Sequence, residues 1–276
     1  MLIDAHQHFW KYNPLEYSWI NDKMNVLKRD FLPDDLINEL KQLNFNGSIA
    51  VQARQSLEET RWLLVLAGKY DFIKGVVGWV DLCSPEVEDQ LIDFSRNKKL
   101  VGVRHVIHDE PDDKFMERSD FQLGISLLSK YDLTYDLLIF PKHLTLATEL
   151  VTLFPNQKFV LDHIAKPLIK DQVFSPWDKD IIKLANLPNV YCKLSGLVTE
   201  ADWKNWKQDD FNYYLDTVFN CFGEDRLMIG SDWPVCTIAG EYKEVMALVL
   251  NYIKQFSSEV QNKFFSKNCK RIYQIQ

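Results

Sequence analysis

Short apolar runs recur along the chain at nearly even intervals, and segments with helical periodicity fill the gaps. Residues 2–8, 48–53, 73–81, 100–107, 134–140, 158–163, 190–194 and 226–231 read as strands. Several are apolar at consecutive positions, as in Ile49-Ala50-Val51 and Val76-Val77. That is the pattern of parallel strands covered on both faces, because each side chain meets a packed neighbour whichever way it points.

The intervals read as amphipathic helices. Leu36, Ile37, Leu40 and Leu43 form a 3.6-period stripe behind Pro33-Asp34-Asp35. Ser56-Leu57-Glu58-Glu59 reads as a capping box, with Ser56 at the N-cap and Glu59 reaching back. Ser84-Pro85 supplies an N-cap and an N1 proline for the next helix. Phe211, Tyr214, Leu215, Val218, Phe219 and Phe222 make another stripe that stops before Gly223. These stripes are core-facing surfaces.

Eight such units in 276 residues predict a (β/α)8 TIM barrel, with one domain over residues 1–276. A doubly wound open sheet would place a glycine-rich phosphate loop after the first strand, where this chain has AHQHFW. The longest connection, residues 9–32, carries Trp10, Tyr12, Tyr17, Trp19 and Phe31. It follows a strand, so it lies on the face of the barrel that holds active sites, either as a flap or as a packed cover.

Composition narrows the class. Hydrophobic residues are 46% of the chain and charged residues 26%, as in a soluble globular protein. The net charge of −7 runs against a nucleic-acid binder. Five dispersed cysteines without a CxxC pair read as reduced thiols in a cytoplasmic protein. No leader-like segment opens the chain and no apolar run approaches ~18 residues, so no membrane association is expected. Surface aromatics point to a homo-oligomer without specifying an interface.

The first strand ends in two histidines, His6 and His8. Residues two apart on a strand share a direction, so both imidazoles converge at the barrel mouth while Gln7 points away. LDHIAKP puts His163 at the end of the sixth strand, and MIGSDWP puts Asp232 at the end of the eighth. Three histidines and one aspartate make a site for a borderline divalent ion such as Zn²⁺. Asp232 would accept the proton of an attacking water, and His163 belongs to the catalytic set. Burial alone would raise the Asp232 pKa unless a cation or donor compensates. Arg104 and His105 end the fourth strand on opposite faces, so one reaches the site: Arg104 to hold a substrate hydroxyl or carboxylate, or His105 to polarise a carbonyl. Gln52, Arg54, Asp81 and Trp233 are further candidates for substrate contact, His108 for loop surface, and Lys166 for a rim ion pair.

IDAHQHFW, LDHIAKP and GSDWPV together resemble the amidohydrolase superfamily. Within it they are similar to the amidohydrolase-2 branch that includes L-fuconolactone and L-rhamnonolactone hydrolases. VQAR, GWVDL, GVRH and KLSGL at other strand ends extend the resemblance over the whole chain. It implies a barrel of the metal-dependent-hydrolase type, a site of His6, His8, His163 and Asp232, and hydrolysis of a lactone. Binuclear members carry a bridging Lys or Glu on the fourth strand and a His on the fifth. Here those strands read LVGVRHVI and LTYDLLIF, with His143 beyond the latter. The departure implies one divalent metal, zinc first, with metal-free catalysis also compatible with the branch.

The expected function is therefore hydrolysis of a sugar-derived lactone. A metal-dependent non-oxidative decarboxylase of the same superfamily is the alternative enzyme, and a non-catalytic sugar-acid-binding barrel is the alternative of a different class. A phosphodiesterase or nuclease would want the missing fourth- and fifth-strand ligands, and the negative charge opposes a polyanionic substrate.

Overall fold

The computed structural model describes residues 2–275. Eight parallel strands pair in sequence order: β1 (Leu2–Gln7), β2 (Phe45–Val51), β3 (Ile73–Gly78), β4 (Leu100–Val106), β5 (Thr134–Leu138), β6 (Phe159–Leu161), β7 (Val190–Leu194) and β8 (Leu227–Ile229). The chain just beyond β8 meets β1 again. Asp232 N donates to His6 O at 2.8 Å and His8 N donates to Trp233 O at 2.6 Å, which closes the sheet into a barrel.

The principal covering helices are α1 (Pro33–Gln42), α2 (Leu57–Lys69), α3 (Val87–Ser95), α4 (Ser119–Leu128), α5 (Leu144–Leu153), α6 (Trp177–Ala185), α7 (Asn212–Phe222) and α8 (Tyr242–Ile253). The architecture is the expected (β/α)8 barrel. The main core lies between strands and helices, with Ala50, Val76, Val103, Leu137 and Leu161 packed against Leu63, Leu91, Ile125 and Leu150.

A second, smaller core fills the barrel interior. Ile3, Val101, Val160 and Met228, each the second residue of its strand, pack with Cys269, Ile272 and Tyr273. Those last residues come from a segment past α8: α9 (Ser258–Asn262), a π-helical turn (Lys263–Lys267) and α10 (Asn268–Ile272). It plugs the end of the barrel opposite the strand C-termini.

Several boundaries differ from the sequence reading. The sixth strand stops at Leu161 because His163, Ile164, Ala165 and Lys166 all take left-handed φ, between 48° and 62°. Such a run costs roughly 1–2 kcal/mol per residue and ends any strand. The third helix begins at Val87, since Ser84 Oγ accepts from Glu86 N and spends the cap on a preceding turn. Ser56 does cap α2 through Glu59 N at 3.3 Å, but the Glu59 carboxylate reaches past it to Ala53 N at 2.9 Å and Arg54 N at 3.0 Å. Glu59 thus ties down the chain where it leaves β2.

Candidate active site

The site is built outward from the seam between β1 and β8. The register of β1 against β2 slips between Asp4 and Gln7, the mark of a bulge, which re-aims side chains. His6 N leaves the ladder and donates to Asp4 Oδ1 at 3.2 Å. The same carboxylate accepts from Ser231 N at 2.9 Å, Ser231 Oγ at 2.6 Å and Tyr242 Oη at 3.2 Å. Asp4 therefore pins both sides of the seam, and burial pushes its carboxyl up to about 6.

His6 and His8 emerge with Nε2 atoms 3.2 Å apart, while Gln7 turns away to Ser48 Oγ. His8 Nδ1 donates to Val51 O at 2.8 Å, which leaves Nε2 to face the site. His6 Nδ1 meets Lys193 Nζ at 3.2 Å and Asp162 Oδ1 at 3.3 Å, so its Nε2 also faces inward. Asp232 Oδ1 lies 3.2 Å from His8 Nε2, 3.7 Å from His6 Nε2 and 3.9 Å from His163 Nε2. His163 Nδ1 is held by Ser195 Oγ at 2.9 Å.

Gly196, with φ 62°, is what lets β7 pass so close. A Cβ there would sit 2.5 Å from His163 Nδ1 and 2.9 Å from Asp232 Oδ2.

Electrostatics sort these groups. Burial works to raise the Asp232 carboxyl, but His163, His8 and His6 override it and hold it below the ordinary carboxylate range. Asp232 is therefore ionised at neutral pH. Burial pushes His163 down to about 4, despite Asp232 and Asp162 nearby, so it is neutral. His6 is likewise held well below its usual value, chiefly by burial.

Arg104 faces inward. Its Nη1 donates to Asp162 Oδ2 at 3.0 Å and lies 3.4 Å from His6 Nε2, and its Nη2 donates to Gln52 O. His105 faces outward, against the catalytic role assigned to it from the sequence. It stacks on Phe115 at 4.7 Å, and its Nε2 pairs with Glu110 at 2.6 Å. Alternation along β4 allowed only one of the two to enter, and the charged network inside claims the arginine.

A cavity of about 290 Å³ opens above these residues. His8, Arg104, His163 and Asp232 line it together with an apolar wall of Met24, Trp203, Val235 and Ile238. His108 and Lys166 also line it, Lys166 paired to Glu200 at 2.7 Å. His108 is thus part of the cavity rather than loop surface. The long first loop serves both expected ends. Trp10 and Phe31 pair backbone to backbone in the core, while Trp19 and Met24 line the cavity.

The other candidates do not line this cavity. Gln52 is fully buried and its oxygens receive Arg104, so it supports the guanidinium. Arg54 pairs with Glu16 at 2.8 Å beside a separate surface pocket. Asp81 caps a turn by accepting from Cys83 N. Trp233 is buried against Phe31 at 5.3 Å. In each case the side chain engages an internal partner.

Sequence reasoning missed the charged layer beneath. Lys193 Nζ donates to Asp136 Oδ2 at 2.6 Å and lies 3.0 Å from Asp162 Oδ1, all three side chains with no exposure. Both aspartates override the effect of burial and keep Lys193 charged. The signal was a lone charge inside an otherwise apolar strand, as in Thr134-Tyr135-Asp136-Leu137-Leu138.

His6, His8 and Asp232 form a group whose ligand-type atoms all lie within 4.8 Å of one another. Their spacings of 3.2, 3.2 and 3.7 Å match the edge of a tetrahedron. Zinc bonds of about 2.0–2.1 Å give an edge of roughly 3.3 Å. The donor set therefore fits one divalent metal ion.

Strand-end histidines and an aspartate at the mouth of a parallel barrel define a hydrolase-type (β/α)8 protein. The amidohydrolase family model matches residues 3–275, and the chain belongs to that family. It is 42% identical over 257 residues to an L-fucono-1,5-lactonase of Burkholderia multivorans, covering 90% of this chain and 86% of that one. It is 35% identical over 243 residues to an L-fucono-1,5-lactonase of Burkholderia ambifaria, covering 87% and 82%. A crystal structure of an amidohydrolase from B. multivorans with bound zinc superposes with a TM-score of 0.96 at 39% identity, covering both chains fully.

Proposed function

We propose that the protein hydrolyses a small sugar lactone of the L-fucono-1,5-lactone kind. The observation that carries this reading is the convergence of an ionised Asp232 with His8, His163 and Arg104 on the lining of one small cavity, with His6 buried beside them at 3.7 Å from Asp232. Lactonases at 35% and 42% identity support the substrate class, and nothing favours the decarboxylase or the binding-only barrel. A 290 Å³ cavity suits a single sugar ring. Its apolar wall suits the methyl group of a 6-deoxy sugar.

Asp232 takes a proton from a water on the cavity side of its carboxylate as the water oxygen attacks the ring carbonyl. Negative charge builds on the carbonyl oxygen, and preorganised donors there supply a large catalytic share. Ser195 Oγ lies 2.9 Å from His163 Nδ1 and orients the imidazole with Nε2 toward Asp232. Arg104 contributes fixed positive charge. As the tetrahedral species collapses, the ring C–O bond breaks and Asp232 returns its proton to the leaving oxygen. The product is an open hydroxy acid.

His6, His8 and Asp232 would hold a zinc ion, with His163 adjacent. When bound, it would polarise the carbonyl and acidify water. The five cysteines are all unpaired, which suits a reducing cytoplasmic setting.

The test is acid release from a panel of aldono-1,4- and 1,5-lactones in weak buffer with pH indicator, with and without chelator or added Zn²⁺. Release well above the spontaneous rate, strongest with 6-deoxy lactones, is expected. Absence of release across the panel under all metal conditions overturns the reading.

A further inference from the structure

Tyr273 lies in the plug at the opposite end of the barrel from the cavity, and its side chain is buried in the interior core. Its hydroxyl does not stop at packing. Tyr273 Oη donates to Asp136 Oδ2 at 2.7 Å. Asp136 accepts from Thr134 Oγ1 on its other oxygen at 3.0 Å and from Lys193 Nζ on the shared oxygen at 2.6 Å. The Lys193 ammonium has three neighbours: Asp136, Asp162 Oδ1 at 3.0 Å, and His6 Nδ1 at 3.2 Å. Three contacts thus run from the plug to an imidazole of the active site.

We propose that Tyr273 is a positioning residue for the reaction, acting through Asp136 and Lys193 on the His6 imidazole. The inference rests on the lactonase reading only for its kinetic readout. Asp136 Oδ2 divides its lone pairs between a neutral hydroxyl and an ammonium. Remove the hydroxyl and the carboxylate is free to turn, carrying the ammonium with it and away from His6 Nδ1. His6 then loses one of the two contacts behind its ring, keeping Asp162 Oδ1 at 3.3 Å, and the Nε2 facing Asp232 and His8 shifts. Groups that orient an active-site imidazole from behind typically change activity about 10–100-fold when removed.

The plug also packs, so a structural role must be separated from a positioning one. Tyr273→Phe removes the hydroxyl and keeps the ring. Ile272→Ala, one residue earlier, weakens the same packing and leaves the hydroxyl. On a lactone substrate, Tyr273→Phe should lower kcat about tenfold or more with KM within about twofold. Ile272→Ala should lower Tm and leave kcat near wild type. Imidazole nitrogen shifts by NMR give a second readout that needs no activity: the His6 signals should move in Tyr273→Phe and stay in place in Ile272→Ala. If Tyr273→Phe folds poorly, fluorotyrosine at 273 keeps the ring and changes only the acidity of the hydroxyl, and the His6 signals should still shift. Wild-type kcat and unmoved His6 signals in Tyr273→Phe overturn the proposal. So does an equal loss of kcat in both variants that tracks Tm. A wild type without lactonase activity but with His6 signals that respond to Tyr273 would sink the lactone reading and leave this one standing.

Discussion

Replacing Lys193 by methionine removes the one ammonium between Asp136 and Asp162 while keeping most of the side-chain volume. Both carboxylates have no exposure, and Lys193 Nζ is 2.6 Å from one and 3.0 Å from the other. Asp162 keeps Arg104 at 3.0 Å, but Asp136 is left with only the hydroxyls of Thr134 and Tyr273. Breaking a buried pair by removing one partner costs about 3–5 kcal/mol, because the remaining charge is stranded. For 276 residues the unfolding entropy is about 0.6 kcal/mol/K, so Tm should fall by roughly 5–9 °C. The assay is thermal unfolding by circular dichroism or calorimetry at pH 7. Lys193→Met combined with Asp136→Leu removes the stranded carboxylate and should recover at least half of the loss. A single variant melting within 2 °C of wild type, or a double variant worse than the single, would refute the reasoning.

Gly196→Ala should lower kcat by about a hundredfold or more while the protein still folds, because a Cβ would collide with both His163 and Asp232; steady-state kinetics with a parallel melt will tell. His105→Gln should leave kcat/KM within about threefold of wild type, since His105 stacks on Phe115 outside the cavity; a large kinetic loss without a loss of Tm would restore its catalytic role. Glu59 supplies a pH test. Burial raises its carboxyl from 4.5 to about 7 in the folded protein, so the folded state binds its proton more tightly than the unfolded chain. The stability it contributes is complete below about 4.5, falls as pH rises to about 7, and is flat above. Relative to wild type, Glu59→Gln should therefore gain up to about 3 kcal/mol between pH 5 and 8 in urea denaturation. A difference that stays constant across that range would contradict it.

Periodicity sufficed for the barrel because each strand is buried on both faces and each helix on one, so burial writes itself into the pattern. The positions of His6, His8, His163 and Asp232 were readable for the same reason: a polar residue ending an apolar run has to be accounted for. The choice between Arg104 and His105 was not readable. Alternation says that neighbours diverge, and only the phase of the pleat says which one enters. The charged layer was hidden differently. Lys193 and Asp136 are 57 residues apart, and their pairing exists only once β5 and β7 share an interior. Tyr273 was hidden further still, because eight strand–helix units already complete a barrel and nothing in the helical pattern after α8 says that it folds back inside. Gln52, Arg54, Asp81 and Trp233 were legible as polar or aromatic residues near strand ends. Each turned out to serve a neighbour: Arg104, Glu16, Cys83 and Phe31.

The central claim is that Asp232 is the proton acceptor in lactone opening, and it is tested most directly by one comparison. Wild type and Asp232→Asn are assayed on L-fucono-1,5-lactone by acid release, each at equal Zn²⁺ and again after chelation. The account predicts rapid opening by the wild type and a loss of kcat of at least a thousandfold in a folded variant, as removal of a general base on the reaction path requires. Near wild-type turnover by Asp232→Asn would contradict it.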